Sequence, residues 1–303
     1  GCPLGADCQP SLTPCIRRRR PTIPLAATSV AFEPHSKMLL RQISFLGSPD
    51  SSRYPLGLPL FRAPFSLRLE RPVTFFAGDN GSGKSTLLEG IAAACELATA
   101  GAHDVETDDS LAPARELGAH LRLGWNARTR NGFFLRSEDF FGFQKRTDAL
   151  RDELAAQIAG YEAELETNPN DEGVRRAMGY IAAQKRELEA TFGPEADAHS
   201  HGEAFFRFFE NRLAPRGLYL LDEPEAPLSP IRQLALLSLI KSAVGAGSQF
   251  LIASHSPLLL AMPDAQIFDF NAHPPAPCAW DDLESVRFWQ QFLAAPQAFL
   301  RRI

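Results

Sequence analysis

A glycine-rich segment, 78–86, stands between a predicted buried strand and a predicted helix, and its start fits the pattern GxxxxGK[ST]. Glycines let the backbone curl until its N–H groups point at phosphate oxygens, and the helix N-terminus adds partial positive charge. Lys84 is expected to reach the β- and γ-phosphates of a nucleotide and to serve in catalysis, and Ser85 to hold Mg²⁺. The expected nucleotide contacts are Gly78, Asp79, Asn80, Gly81, Ser82, Gly83, Lys84, Ser85 and Thr86.

Two acids, Asp222 and Glu223, follow the apolar stretch 218–221, which predicts a short buried strand. In a parallel α/β sheet the carboxyl end of such a strand faces the ligand. Asp222 would then bind Mg²⁺ directly or through water. Glu223 would be the general base that polarises the attacking water, a role worth about 10²–10⁴ in rate. The alternative is an acid pair that caps the next helix.

His255 follows a second apolar stretch, 250–253, which also predicts a strand. A histidine at this edge of the sheet can hydrogen-bond the γ-phosphate or the attacking water. A packed or surface histidine is the alternative. The position of His255 beside the predicted nucleotide favours the catalytic role.

The spacing of apolar residues predicts an α/β fold in which a mainly parallel core sheet accompanies an antiparallel β portion from the N-terminal strands. Strand, glycine loop and helix follow one another at the first motif, and strand, helix and strand follow one another around the second. Strands are predicted at 39–45, 65–69, 73–77, 121–123, 133–135, 218–221 and 250–253, and helices at 87–95, 204–213, 231–244 and 283–293.

The pattern is purely helical between 150 and 188, with a break at 168–171 where the sequence is Asn-Pro-Asn-Asp. This predicts a hairpin of two helices whose charged faces are solvated surface and whose arms are too short for a long coiled-coil rod. The first apolar stripe comprises Leu150, Leu154, Ile158, Tyr161 and Leu165, and the second Val174, Met178, Ile181 and Leu188.

These motifs resemble those of the ABC/SMC superfamily of P-loop ATPases, and the chain from about 38 onward resembles the compact predicted AAA family ATPase of bacteria. The stretch 200–203, Ser-His-Gly-Glu, is similar to the family's signature loop, often written LSGGQ, but departs from it at His201 and Glu203. The resemblance implies that Ser200 and the backbone of Gly202 contact the γ-phosphate of ATP bound to a second copy. It therefore implies an ATP-dependent homodimer. A capping box between Ser200 and Glu203 is a compatible alternative.

Two details separate the branches of this superfamily. Ser-His-Ser-Pro at 254–257 and Glu-Ala-Pro-Leu-Ser at 225–229 are more similar to soluble DNA-repair, SMC/RecF-like and defence-type ATPases than to transporter subunits, which usually have THD and SALD there. The glutamine loop of transporters has its nearest counterpart at 134–138, with Gln144 further on. Tyr54 is a candidate to stack on adenine, as an aromatic does in the family. The alternative for Tyr54 is a loop aromatic that covers the sheet.

The composition limits the class of protein. The net charge of −5 gives no overall basic footprint for nucleic acid, although net charge does not report how charge is distributed. No apolar run approaches the about 20 residues that span a bilayer. The five cysteines are expected to be reduced thiols, which suggests a cytoplasmic protein. Residues 1–37 are expected to be a disordered extension before Met38, with an ATPase domain at 38–303 and a helical insertion at 140–213.

Binding of ATP and its Mg²⁺-dependent hydrolysis are the predicted activities, with ATP-driven dimerisation as their consequence. The predicted role is a soluble switch in genome maintenance or phage defence, with an unknown effector protein as partner and nucleic acid as a further candidate partner. Two alternatives are the nucleotide-binding subunit of an ABC transporter and a slow nucleotide-gated binding module.

Overall fold

The computed structural model describes residues 38–47, 53–99, 112–192 and 201–301. The predictions for 1–37 and for Ser200 fall outside these ranges. The strands are β1 (Leu40–Phe45), β2 (Phe65–Arg68), β3 (Val73–Ala77), β4 (Leu121–Trp125), β5 (Gly132–Arg136), β6 (Leu218–Asp222), β7 (Gln249–Ala253), β8 (Gln266–Asp269) and β9 (Ala276–Pro277). The helices are α1 (Lys84–Ala94), α2 (Ala112–Ala119), α3 (Ser137–Thr167), α4 (Glu172–Phe192), α5 (His201–Arg212), α6 (Pro230–Gly245), α7 (Pro257–Leu260), α8 (Glu284–Ala294) and α9 (Pro296–Leu300).

A six-stranded sheet in the order β5-β6-β7-β3-β8-β9 forms the centre of the described chain. All neighbouring strands run parallel except β8 and β9. Every residue of β3, β6 and β7 is buried, because helices cover both faces of such a sheet, and this explains their continuous apolar sequences. The carboxyl ends of these three strands meet at one edge. The predicted α/β class with a mainly parallel sheet is confirmed.

A separate three-stranded antiparallel sheet has the order β2-β1-β4 and confirms the predicted antiparallel portion. Its inner face carries Ile43, Phe45 and Leu67, which are buried in the core. The side chains that alternate with these point away from the core, as the period of two requires. Gln42, Ser66, Arg68 and Arg122 are all exposed on this outer face.

Two glutamine side chains link the sheets through backbone hydrogen bonds. The buried Gln249 accepts from the N–H groups of Leu39 and Leu40 at 3.0 and 2.8 Å and donates to the carbonyl of Leu40 at 2.8 Å. Gln266 accepts from the N–H of Glu70 at 2.8 Å and donates to the carbonyl of Arg68 at 3.0 Å. Because Gln42 on β1 is opposite Arg68 on β2, the two amides hold the same end of the antiparallel sheet against the parallel one.

Helices α3 and α4 form the predicted hairpin, and the predicted break at 168–171 is confirmed. Asp171 starts the second arm, because its Oδ1 accepts from the N–H groups of Gly173 and Val174 at 2.9 and 3.1 Å. The first arm begins at Ser137, not at 150, and has 31 residues. Its first turns pack on the core through Phe140, whereas Leu150, the first residue of the predicted stripe, is 45% exposed. No helix within the described residues is long and apolar enough to cross a membrane.

A cluster of aromatic rings holds α5 against the sheet. Phe208 and Phe209 lie 5.6 and 5.8 Å from the ring of Phe133 on β5, and Phe205 lies 4.9 Å from Phe140 on α3. All five rings are buried. Helix α5 is therefore fixed to the strand beside β6. The domain boundaries at 38 and at 140–213 stay predictions.

Candidate nucleotide-binding site

The glycine loop connects the end of β3 to the first turn of α1, as the sequence predicts. Gly81 and Gly83 have φ values of 81° and 96°, in the left-handed region that glycine adopts most readily. At Gly83 a Cβ atom would lie 2.8 Å from the Cδ2 of Leu60, which belongs to the 3-10 turn Pro59–Phe61. Asn271, after β8, accepts from the N–H of Asp79 at 2.8 Å. Both flanks of the loop are thus held by residues that the sequence motif does not include.

Lys84 is 4% exposed, and its ammonium group lies inside the loop. It donates to the carbonyl oxygens of Gly78 and Asp79, both at 2.8 Å. Burial lowers the pKa of Lys84, and the carboxylates of Glu223 and Asp222 partly oppose that shift. The lysine is therefore placed among acceptors in the same small space where phosphate oxygens would lie.

Ser85 and Asp222 come together although they are 137 positions apart, because the carboxyl ends of β3 and β6 share an edge. The hydroxyl of Ser85 donates to Oδ1 of Asp222 at 3.0 Å. Burial is the largest cause that raises the pKa of Asp222 to about 7; the hydrogen bond from Ser85 opposes this rise, and the nearby carboxylates of Glu223 and Glu89 add to it. A buried carboxylate beside a hydroxyl gives the hard oxygen ligands that Mg²⁺ prefers, so these residues fit the ion.

Glu223 and His255 face each other at the same edge. Oε1 of Glu223 lies 3.5 Å from Nε2 of His255, and this nitrogen is buried without a hydrogen bond. The φ of Glu223 is 50°, which is costly for a residue with a side chain. Its backbone is held at both ends, since its N–H donates to Ala253 at 2.9 Å and its carbonyl accepts from Ser137. Burial, followed by the charge of Lys84, lowers the pKa of His255 and favours the neutral imidazole.

A second glutamate, Glu225, was not predicted to have a role in the site. Its Oε1 accepts three hydrogen bonds: from the hydroxyl of Ser254 at 2.8 Å and from the N–H groups of His255 and Ser256 at 2.7 and 3.1 Å. Burial raises the pKa of Glu225. This carboxyl group fixes the backbone that carries His255. Its position two residues after Glu223 was the available sequence signal, but the pattern does not say which way the side chain turns.

A cavity of about 350 Å³ opens above the glycine loop and joins most of the predicted site residues. Tyr54 lines this cavity and is 58% exposed, as an adenine-stacking residue would be. Gly202 lies in the first turn of α5 and is not among the residues that line this cavity. The cavity is lined by Tyr54, Leu58, Asn80, Gly81, Gly83, Lys84, Ser85, Thr86, Glu223 and His255.

The segment 134–138, the expected counterpart of a glutamine loop, is the junction of β5 and α3 and lies beside the end of β6. Ser137 supplies its contact there, donating to the carbonyl oxygens of Asp222, at 3.3 Å, and Glu223. Arg136 pairs with Glu89 of α1 at 3.2 Å. The side chain of Gln144 lies outside the described residues.

Comparisons with known proteins match the two segments of the chain that contain these motifs. Residues 60–107 match a family model described as "AAA domain", and residues 172–261 match one described as "AAA domain, putative AbiEii toxin, Type IV TA system". The first match contains the glycine loop, and the second contains Asp222, Glu223 and His255. No curated protein matches the chain.

Among solved structures, the chain is similar to the Smc head domain with an extended coiled coil bound to the C-terminal domain of ScpA from Pyrococcus furiosus, with 13% identity, a TM-score of 0.42 and coverage of 84% of this chain and 99% of that one. It is similar to the SMC head domain from Thermotoga maritima, with 14% identity, a TM-score of 0.38 and coverage of 80% and 100%. A nucleotide-free ATP-binding cassette from an ABC transporter has 15% identity, a TM-score of 0.44 and coverage of 82% and 94%.

The parallel sheet and the glycine loop at the end of β3 define a P-loop NTPase. Within that class, the two AAA-domain matches contain the nucleotide motifs, so the chain is similar to AAA-type P-loop ATPases. The resemblance seen in the sequence is confirmed at this level.

Proposed function

We propose that the chain binds ATP and hydrolyses it with Mg²⁺. The observation that carries this proposal is the 3.0 Å hydrogen bond from Ser85 to Asp222, which joins the phosphate loop to the acidic strand end. With Glu223 next in the chain, one small space then holds a phosphate-binding loop, a metal-binding pair and a general base. A fold that only bound phosphate would not need the last two.

Each residue has a distinct task in this mechanism. Lys84 binds the β- and γ-phosphate oxygens, and Ser85 and Asp222 would hold the metal ion. When bound, Mg²⁺ offsets the negative charge of the phosphates. Glu223 accepts a proton from the attacking water, and the neutral His255, whose Nε2 makes no hydrogen bond, contacts the γ-phosphate or that water.

We further propose that ATP joins two copies of the chain. The side chains of Glu223 and His255 are 47% and 36% exposed, so the side of the site that would face a γ-phosphate is open to a second surface. The first turn of α5, which contains Gly202, suits that surface, because the N–H groups of a helix N-terminus bind anions. The aromatic cluster under α5 gives this turn a fixed position. Ser200, the residue before α5 in the sequence, would add a hydroxyl that donates to the same γ-phosphate.

The biological role that we propose is an ATP-dependent switch in the cytoplasm that acts through an effector protein in phage defence or genome maintenance. The description of the second matched family model, which names a toxin and a TA system, favours the defence role. Hydrolysis at Glu223 would end the ATP-bound dimer and reset the switch.

Glu223→Gln tests both parts of the proposal. We expect phosphate release to fall about 10²–10⁴-fold, because the amide cannot accept the proton. We also expect light scattering after size exclusion to show a dimer for this variant in saturating Mg-ATP. The exposed Glu164→Gln in α3 is the control and should match the wild type. Turnover that survives in Glu223→Gln contradicts the general base, and a monomer of this variant in Mg-ATP contradicts the dimer.

A further inference from the structure

The outer face of the β2-β1-β4 sheet carries positive charge in a chain whose net charge is −5. Arg68 on β2, Arg41 on β1 and Arg122 on β4 are exposed there, and we call these three residues the arginine face. The side chain of Arg41 lies beside Gly124 on β4, because a Cβ atom at Gly124 would be 3.6 Å from its Nε. The absence of a side chain at Gly124 leaves room for Arg41 to lie there.

Only weak internal pairing neutralises these arginines within the described residues. Arg68 is 3.9 Å from Glu70, and the two side chains are 85% and 64% exposed, so water screens the pair. Arg41 and Arg122 have no ion pair in the described part of the chain. At least two of the three charges are therefore available to an external anion.

The polar side chains between the arginines add hydrogen-bond donors. Nε2 of Gln42 donates to the hydroxyls of Ser44 and Ser66 at 3.2 and 2.8 Å, and these hydroxyls bond to each other at 2.9 Å. One hydroxyl proton forms the hydrogen bond between Ser44 and Ser66. The proton of the other hydroxyl has no acceptor in this network, so it can point outward to an external acceptor. Arginine, serine and glutamine side chains are the usual donors to phosphate oxygens of nucleic acid.

The geometry suits an extended polyanion. Arg68 is opposite Gln42 and Arg122 is opposite Ser44, so the two arginines are two strands and two residues apart. Their Cα atoms are then about 12 Å apart, from strand spacings of about 4.8 Å and rises of about 3.4 Å. Grooves of about 730 and 590 Å³ lie on either side of Arg68 and continue this surface.

The type of nucleic acid follows from the aromatic residues of these strands. Phe45 and Phe65 are buried, and Trp125 packs against the core, so none of them is presented on the arginine face. Proteins that bind single strands stack bases on exposed aromatic rings. A flat face with arginines and hydroxyls but no such rings fits the backbone of a duplex, read without regard to sequence.

We propose that the arginine face binds the phosphate backbone of double-stranded DNA. This binding does not require ATP hydrolysis, so it is measured on the full chain without nucleotide. The probes are a duplex of about 30 base pairs and a single strand of the same length, followed by fluorescence anisotropy over a range of salt concentrations. For about three phosphate contacts, log K should fall with log salt concentration with a slope of about −2.7.

Three single variants, Arg41→Ala, Arg68→Ala and Arg122→Ala, should each reduce the size of that slope by about 1. The triple variant to glutamate should abolish binding of the duplex, and its melting temperature should show that it folds. Arg176→Ala on α4 is the control, because Arg176 is also exposed, at 79% of its side chain, and lies on another element.

Four results would overturn the proposal. They are no binding of the duplex at low salt, a preference for the single strand, an unchanged slope in all three arginine variants, and an equal loss of binding in the Arg176→Ala control.

Discussion

The nucleotide-binding edge and the α3–α4 hairpin both carry many charged side chains, but those of the edge are largely buried and those of the hairpin are largely exposed to water. At the edge, Lys84, Asp222 and Glu225 are removed from water, and burial is the largest cause of each pKa shift. In the hairpin, pairs such as Arg176 with Glu172, 3.8 Å apart, have side chains that are 79% and 85% exposed. Pairs of the second kind contribute about 0–1 kcal/mol each.

This difference shows which charges the fold has to position. A buried charge is stable only when neighbouring groups hydrogen-bond it, so its partners become part of the site. The backbone at the edge is correspondingly constrained, with positive φ at Gly81, Gly83 and Glu223. The hairpin needs only its apolar stripes and its break at 168–171. Equal substitutions should therefore have unequal effects in the two regions.

A glycine-to-alanine change gives the largest expected contrast. Gly83→Ala forces a side chain into positive φ and places its Cβ 2.8 Å from Leu60. We expect it to lower the free energy of unfolding by about 1–3 kcal/mol and to weaken ATP binding at least about tenfold. Gly160 lies inside α3, and a Cβ atom added there would contact nothing within 4 Å. Gly160→Ala should therefore raise the free energy of unfolding by about 0.5–1 kcal/mol. Urea unfolding and titration with a fluorescent ATP analogue measure both; equal effects at the two positions would contradict the contrast.

Glu225 gives the next largest effect. Glu225→Ala removes the acceptor of three donors around His255, so we expect the rate of phosphate release to fall about tenfold while KM changes little. The unfolding free energy should fall by about 1–3 kcal/mol, because buried donors lose their partner. Glu225→Gln keeps an oxygen acceptor and should restore most of both. If the glutamine variant is as impaired as the alanine variant, the negative charge of Glu225 matters and its acceptor role is wrong.

The smallest effect belongs to the hairpin surface. Arg176→Ala should change the unfolding free energy by less than about 0.5 kcal/mol and leave ATP hydrolysis unchanged, since water already solvates both partners. Steady-state phosphate release and urea unfolding provide the check. A loss of activity here would mean that the hairpin surface takes part in the catalytic cycle, for example as the contact for the effector.

The sequence was sufficient for the features that local patterns determine. The phosphate loop has a fixed spacing, and buried strands such as β3 and β6 have continuous apolar residues, so the site edge could be predicted together with the roles proposed for Lys84, Asp222 and Glu223. The break between the helices followed from a proline among turn residues. The placement of Ser200 and the tasks of the individual site residues stay predictions.

The features that the sequence did not reveal depend on distant contacts or on side-chain direction. Glu225 acts on residues 29 to 31 positions later, and the pattern around it also fits a simple turn. Helix α3 begins at Ser137 because its first turns pack on the sheet, whereas the prediction followed only the regular stripe further on. The arginine face could not be predicted from a net charge of −5, because net charge averages over all faces.

The hydrogen bonds between the side chain of Gln249 and the backbone of Leu39 and Leu40 have a consequence for folding during synthesis. Strands β1, β2 and β4 pair with one another early in the chain, but the N–H of Leu40 has its partner 209 residues later. On the ribosome, at about 5–20 residues per second, the first sheet, which is complete once β4 has been made, would wait about 6–25 seconds for Gln249 to be synthesised. During that interval its apolar inner face has no parallel sheet to cover it. The nascent chain is then a natural client for chaperones, and contacts of such long sequence separation predict slow refolding.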